Sequence, residues 1–192
     1  LEEDLSRRDF TINALALDLS FPRKRESRNI KTWIPDQVGN DKKGSDTELV
    51  DPFGGKSDIQ KKLIRAVGDP RKRFDEDALR MMRAARFAVA FEFEIEPETK
   101  KAIQENAGRS EFIAKERIRD ELNKVFETPR AAAGIELLHD LGLLKYIIPE
   151  LEEGIGMENR PRIFTIWEHN LKALEYGAKT GFPLDVRVAA LL

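Results

Sequence analysis

Arg7-Arg8-Asp9-Phe10-Thr11-Ile12-Asn13-Ala14 sets two arginines beside an aspartate. Guanidinium groups bind phosphate oxygens through charge-assisted, often paired hydrogen bonds, so Arg7 and Arg8 suit a triphosphate. Asp9 can hold an arginine in place or meet a sugar hydroxyl. Arg-Asp neighbours are also common surface ion pairs. A second group, Glu76-Asp77-Ala78-Leu79-Arg80-Met81-Met82-Arg83-Ala84-Ala85-Arg86, spaces Asp77, Arg80, Arg83 and Arg86 three residues apart. On a helix each such step turns about 300°, so the four share one broad side. An aspartate and an arginine one turn apart can read a base edge. Adenine and cytosine show an exocyclic amine beside an unprotonated ring nitrogen; a carboxylate accepts from the amine and a guanidinium donates to the ring nitrogen. Guanine and uracil present a carbonyl and a ring N–H there and mismatch both partners. The bland alternative is a row of ion pairs on a solvated helix. A third group, Asp51-Pro52-Phe53-Gly54-Gly55, permits tight backbone geometry, and a structural turn is its expected role.

These groups need elements to carry them, and 192 residues suffice for one ordinary domain or two small ones. Hydrophobic residues make up 41% and charged residues 35%, above the roughly 25% charged of an average globular chain. That balance suits helices with much solvated surface. No apolar run reaches the length of about 18 residues that spans a bilayer. The absence of cysteine excludes disulfides, thiolate zinc sites and cysteine nucleophiles, and two histidines exclude a polyhistidine metal site. Net charge is −2, yet residues 61–86 hold nine Lys/Arg against four Asp/Glu. A locally basic element on a mildly acidic chain points to a phosphate site rather than a non-specific nucleic-acid coat. The chain opens Leu1-Glu2-Glu3-Asp4 with no secretion leader, so a cytoplasmic location and an N-terminus further upstream are expected.

Residues 10–19 read as a turn running into a strand, and 48–50 as a second strand. Ser57-Asp58 looks like a helix start, and 63–67 like a third strand. Helices are expected over 75–91, from Pro97 to near Gly108, over 115–126, from a Thr128-Pro129 cap to Gly142, and over 164–176 and 183–192. The fold class is therefore α+β: about 70 residues of short strands, then an all-helical region. Residues 21–46 have no clear period and separate two strands that would otherwise form a hairpin. They hold basic residues beside Trp33, a possible nucleic-acid contact. They also resemble translated copies of short dispersed bacterial repeats, and an insertion is the expected reading.

In order and extent, the motifs resemble the class II tRNA CCA-adding enzyme and bacterial poly(A) polymerase family. The match runs Arg-Arg-Asp-Phe-Thr-x-Asn-Ala, Asp-Pro-Phe-Gly-Gly, then Arg-Phe-x-Glu-Asp-Ala-Leu-Arg-Met-Met-Arg-Ala-x-Arg-Phe, and covers residues 1–20 and 47 to about 150. It implies part of a nucleotidyltransferase head over 1–70, a helical neck over 71–127 and a helical body over 128–192. It also implies that Arg8 and Asp9 contact the triphosphate and ribose, that Asp77 and Arg80 form the base-reading template, and that Arg83 and Arg86 support phosphates or template. Residues 116–122 would lie on the neck helix bracing the site. The implied partners are ATP, CTP and the 3′ end of tRNA or another RNA, with magnesium as cofactor. The family's metal-binding Asp-x-Asp lies upstream of Arg-Arg-Asp and has no counterpart here; Asp75-Glu76-Asp77 is read as a chance match. The chain is thus expected to be a fragment that does not extend RNA by itself. The alternative is a non-catalytic helical RNA-binding module. Trp167-Glu168-His169-Asn170 resembles the entry to an HD-type domain, but histidine count and order disfavour an HD-type phosphohydrolase. His139 is expected to be a partly buried helix residue.

Overall fold

The computed structural model describes residues 1–19, 47–158 and 164–191. The expected insertion at 21–46 lies outside the described residues. The chain begins with α1 (Glu2–Ser6), a 3-10 turn over Thr11–Asn13 and the antiparallel pair β1 (Ala16–Leu19) and β2 (Thr47–Val50), in register Ala16↔Val50 through Leu19↔Thr47. Helix α2 (Gly55–Gln60) follows, starting two residues before Ser57. Then come β3 (Leu63–Ile64), α3 (Pro70–Glu76), α4 (Leu79–Phe91) and β4 (Glu94–Ile95). The remainder is α5 (Pro97–Asn106), a 3-10 segment over Ala107–Phe112, α6 (Lys115–Phe126), α7 (Ala131–Asp140), α8 (Leu144–Ile147), α9 (Glu150–Glu153), α10 (Ile166–Lys179) and α11 (Leu184–Leu191). The α+β class is as expected. Among the described residues, no helix is long and apolar enough to cross a membrane.

Three local expectations need correction. The helix expected over 75–91 is two helices, because Asp77 is extended (φ −154°, ψ 104°) and its carboxylate accepts from the Leu79 N–H at 3.1 Å. An aspartate satisfies an orphan N–H at a helix start better than it sits inside one. Thr128 does not cap α7; its hydroxyl donates to the Val125 carbonyl at 2.7 Å and closes α6 instead. The strand expected over 63–67 is two residues long, and its partner β4 runs parallel to it from the far side of α4. The two-residue β4, α8 and α9 are too short to show a period in sequence.

Helix α4 is the centre of the fold. Leu79, Met81, Met82, Ala84, Ala85, Phe87, Ala88 and Val89 are buried on it. One cluster of buried apolar side chains runs from Phe10 through α4 to Leu191, so a shared core crosses the divisions expected at 70 and 127. Glycine permits two close approaches. A Cβ on Gly55 would lie 2.2 Å from the Thr11 carbonyl oxygen, and one on Gly134 would lie 2.4 Å from Val125 Cγ1. The first seats α2 on the Thr11–Asn13 turn, and the second brings α7 against α6.

Candidate functional site

Asp9 is held by backbone on both sides. Its carbonyl accepts from Val67 N–H at 3.1 Å, and Thr11 N–H donates to the Arg65 carbonyl at 2.9 Å, as part of a bridge between Phe10 and Ala66. Phe10 is fully buried, which anchors the segment in the main core. The Asp9 side chain, 8% exposed, is itself well partnered. Oδ1 accepts from Phe10 N–H at 2.9 Å and Asn13 Nδ2 at 3.2 Å. Oδ2 accepts from Arg83 Nε at 2.7 Å and Nη2 at 2.6 Å. Asp9 thus holds an arginine, one of the two roles open to it. Asp51-Pro52-Phe53-Gly54-Gly55 is the expected turn. Asp51 accepts from Gly55 N–H at 2.7 Å and Lys56 N–H at 3.0 Å, and Gly54 is left-handed. Helix α2 then supports the Asp9 segment through Asp58, which accepts from Thr11 Oγ1 at 2.7 Å.

Asp77 sits at the break between α3 and α4. Its Oδ2 accepts from Arg117 Nη2 on α6 at 2.8 Å. Burial raises the Asp77 carboxyl, but the hydrogen bonds from Arg117 and the Leu79 N–H and the charges of Arg117 and Arg80 outweigh it. Together they hold the group below the usual aspartate range. Arg80 lies one turn on. Its Nη1 donates to the Arg73 carbonyl at 3.1 Å and to Glu76 Oε2 at 2.6 Å, which fixes the guanidinium plane. The Arg80 hydrogen bond lowers the Glu76 carboxyl against desolvation by burial, helped by the charges of Arg73 and Arg80 and the Arg73 hydrogen bond. Arg73 in turn donates to the Val67 carbonyl at 2.9 Å and to the Ser6 carbonyl, tying α3 to the first residues of the chain.

These residues meet in an open cavity of about 420 Å³ lined by Arg7, Arg8, Asp9, Asn13, Asp77, Leu79, Arg80, Arg83 and Arg117. Five arginines against two aspartates leave a local excess of positive charge, suited to an anion. Of the residues expected from sequence, Arg8, Asp9, Asp77, Arg80 and Arg83 are brought together. Arg8 is half exposed and pairs with Asp4 at 3.0 Å. Arg86 is not brought to the cavity. It lies further along α4, where Nε donates to the buried Glu121 of α6 at 2.6 Å. There it ties α4 to α6. Arg117 is the residue that sequence reasoning did not single out. It stands 40 positions from its partner Asp77, so no local spacing links them.

Magnesium does not fit the carboxylates of this site. Asp9 and Asp77, the two that line the cavity, each accept from a guanidinium. The Asp75-Glu76-Asp77 run is likewise taken: Asp75 pairs with Arg109, Glu76 with Arg73 and Arg80, and Asp77 with Arg117. Among the described residues no group of three or more His, Asp or Glu side chains could hold a metal. His139, partly buried as expected, sets Nδ1 2.7 Å from Glu152 Oε1.

A family model described as the poly A polymerase head domain matches residues 1–65, and one described as a probable RNA and SrmB-binding site of polymerase A matches residues 92–155. The chain is 39% identical over 180 residues to the A-adding tRNA nucleotidyltransferase of Deinococcus radiodurans, a match over 91% of this chain and 35% of that protein. It is 47% identical over 167 residues to the CCA-adding enzyme of Limosilactobacillus reuteri, over 87% of this chain and 35% of that one. The chain therefore spans about a third of the length of these relatives. The crystal structure of the Bacillus stearothermophilus CCA-adding enzyme in complex with CTP is similar over 99% of this chain and 42% of that chain, with a TM-score of 0.64 at 32% identity. On its motifs, its fold and these likenesses, the chain belongs to the CCA-adding enzyme and poly(A) polymerase family.

Proposed function

We propose that this chain selects ATP and CTP for a template-independent RNA nucleotidyltransferase that adds AMP and CMP to the 3′ end of tRNA. The observation that carries the reading is the arginine-lined cavity with Asp77 and Arg80 one turn apart at its wall. In this reading Arg7 and Arg8, both exposed, take the triphosphate. Asp9 orients Arg83 toward the cavity and lies near the ribose. Asp77, held ionised well below neutral pH by its partners, acts only as an acceptor and takes the exocyclic amine of cytosine or adenine. Arg80 donates to the unprotonated ring nitrogen beside that amine. Arg117 and Glu76 fix these two groups before the nucleotide arrives, which lowers the ordering cost of selection. The relatives named for A-addition and CCA-addition, and the CTP bound in one of them, support the choice of nucleotides. Magnesium and a cytoplasmic setting belong to the same reading. The metal is not assigned to the carboxylates described above.

Titration of the purified chain with ATP, CTP, GTP and UTP tests this. ATP and CTP are expected to bind more tightly than GTP and UTP. Asp77→Ala is expected to narrow that preference, because a hydrogen bond to a charged group contributes about 1.5–3 kcal/mol. Equal affinity for all four in the unchanged protein would sink the selection mechanism. A second reading, an RNA-binding helical module without transfer, is favoured by the guanidinium facing each carboxylate at the site. Incorporation of labelled ATP or CTP into tRNA lacking its 3′ end once an upstream segment carrying Asp-x-Asp is supplied supports the first reading, and nucleotide binding without incorporation even then supports the second.

A further inference from the structure

We infer that a second cavity, behind the Asp77–Arg117 pair, receives the 3′-terminal base of the RNA strand, with Phe112 as its stacking platform and Asp75 and Arg109 as its edge readers. This inference rests on the reading that the first cavity holds the incoming nucleotide. The second cavity measures about 500 Å³, and its lining includes Phe74, Asp75, Asp77, Arg109, Phe112 and Arg117. It shares Asp77 and Arg117 with the first, so the two are neighbours across one ion pair.

Three features select the occupant. Phe112 ends the 3-10 segment 88% exposed, although the next residue, Ile113, is buried. A phenyl ring left in water at the rim of a cavity offers a face on which any base can stack. Arg109 and Asp75 form an ion pair across the cavity from 34 positions apart, both side chains about half exposed. Their donor and acceptor match the ring nitrogen and exocyclic amine of cytosine or adenine, the same logic as Asp77 and Arg80 next door. Finally, the cavity has no excess of positive charge. Its two arginines face three carboxylates, Asp75, Glu76 and Asp77, so nothing compensates a free triphosphate. A base at the end of a strand, whose phosphates run outside in solvent, fits this site better than a second nucleotide does. Seated there, a strand ending in C or A lies beside the nucleotide to be added.

The test uses the 192-residue chain with short 5′-labelled RNAs that differ only in their last base, read by fluorescence anisotropy, alongside ATP and CTP titrations. Strands ending in C or A are expected to bind about tenfold tighter than those ending in U or G. Phe112→Ala is expected to weaken RNA binding about tenfold, the scale of one base–aromatic stack, and leave nucleotide affinity within about twofold. Asp75→Asn is expected to erase the end preference with nucleotide affinity again unchanged. Circular dichroism melts check that both surface variants fold. Phe112→Ala binding RNA like the parent, an end preference that survives Asp75→Asn, or no RNA binding at all overturns the inference. So does loss of nucleotide affinity in Phe112→Ala, which would place the ring in the first cavity. Phe112-dependent RNA binding by a chain that binds no ATP or CTP would instead overturn the proposed nucleotide selection and keep the stacking site.

Discussion

Replacing Glu121 with leucine isolates what Arg86 does. Glu121 is 3% exposed on α6, and its Oε2 accepts from Arg86 Nε at 2.6 Å while Oε1 accepts from Lys124 Nζ at 2.8 Å. Leucine of similar size removes the charge and leaves the Arg86 side chain, 17% exposed, without its carboxylate. Removing one partner of a buried pair costs about 3–5 kcal/mol. Lys124 is half exposed and finds water, and Arg86 keeps its place 4.1 Å from the Phe87 ring centroid, so the low end applies. A loss of about 3 kcal/mol lowers Tm by about 6–12 °C in a chain of this size, at roughly 2–4 °C per kcal/mol. The Arg86→Met/Glu121→Leu pair is expected to recover much of that loss, because an apolar pair avoids the desolvation of both charges. The assay is thermal and urea unfolding of both single variants and the double, treated as a cycle. A loss below about 1 kcal/mol in Glu121→Leu, or a double variant whose loss equals the sum of the singles, refutes the bracing role. Arg86→Met, measured well below its Tm, is expected to bind ATP within about twofold of the parent; a tenfold loss in the folded variant would put Arg86 in contact with the nucleotide.

Other outcomes follow from the same contacts. The Asp77 carboxyl is depressed from its ordinary value of 3.8, so its stabilising contribution is full above about pH 5. That contribution is lost as pH falls through the folded value, so the stability gap between the parent and Asp77→Asn should be steady from pH 5 to 8 and shrink below pH 4 in urea titrations. Gly55→Ala forces a Cβ to within 2.2 Å of the Thr11 carbonyl, and a loss of about 1–3 kcal/mol in denaturant midpoint analysis is expected. Leu19 and Thr47 are paired at the open ends of β1 and β2. Replacing residues 20–46 with Asn-Gly therefore leaves a two-residue hairpin turn, and Tm is expected to hold within a few degrees; a large fall would show that the segment packs on the core.

The amino-acid sequence by itself determined the elements whose signals are local. Helix α6 occupies the expected 115–126 because Ile118, Leu122, Val125 and Phe126 recur at helical spacing and are all buried. The Asp51 turn was legible because a side chain reaching N–H groups four and five residues ahead is a local event. The motif order of Arg8-Asp9, then Asp77 and Arg80, sufficed to name four of the residues that line the cavity, but not Arg117. Tertiary structure decided the rest. Spacing three residues apart treated Arg83 and Arg86 alike, yet α4 meets the Asp9 segment at one and α6 at the other. Arg83 therefore faces Asp9 while Arg86 faces Glu121. Asp77 belongs to a helix by period but leaves it by capping, because its carboxylate meets both the Leu79 N–H and an arginine 40 positions away. Strand β4 exists only because β3 is beside it: two residues carry no pattern, and their hydrogen bonds come from a segment on the other side of α4. Periodicity fixes which neighbours along one element share a face. Which element that face meets is set by how all the apolar faces are buried at once, and no local window of sequence contains that information.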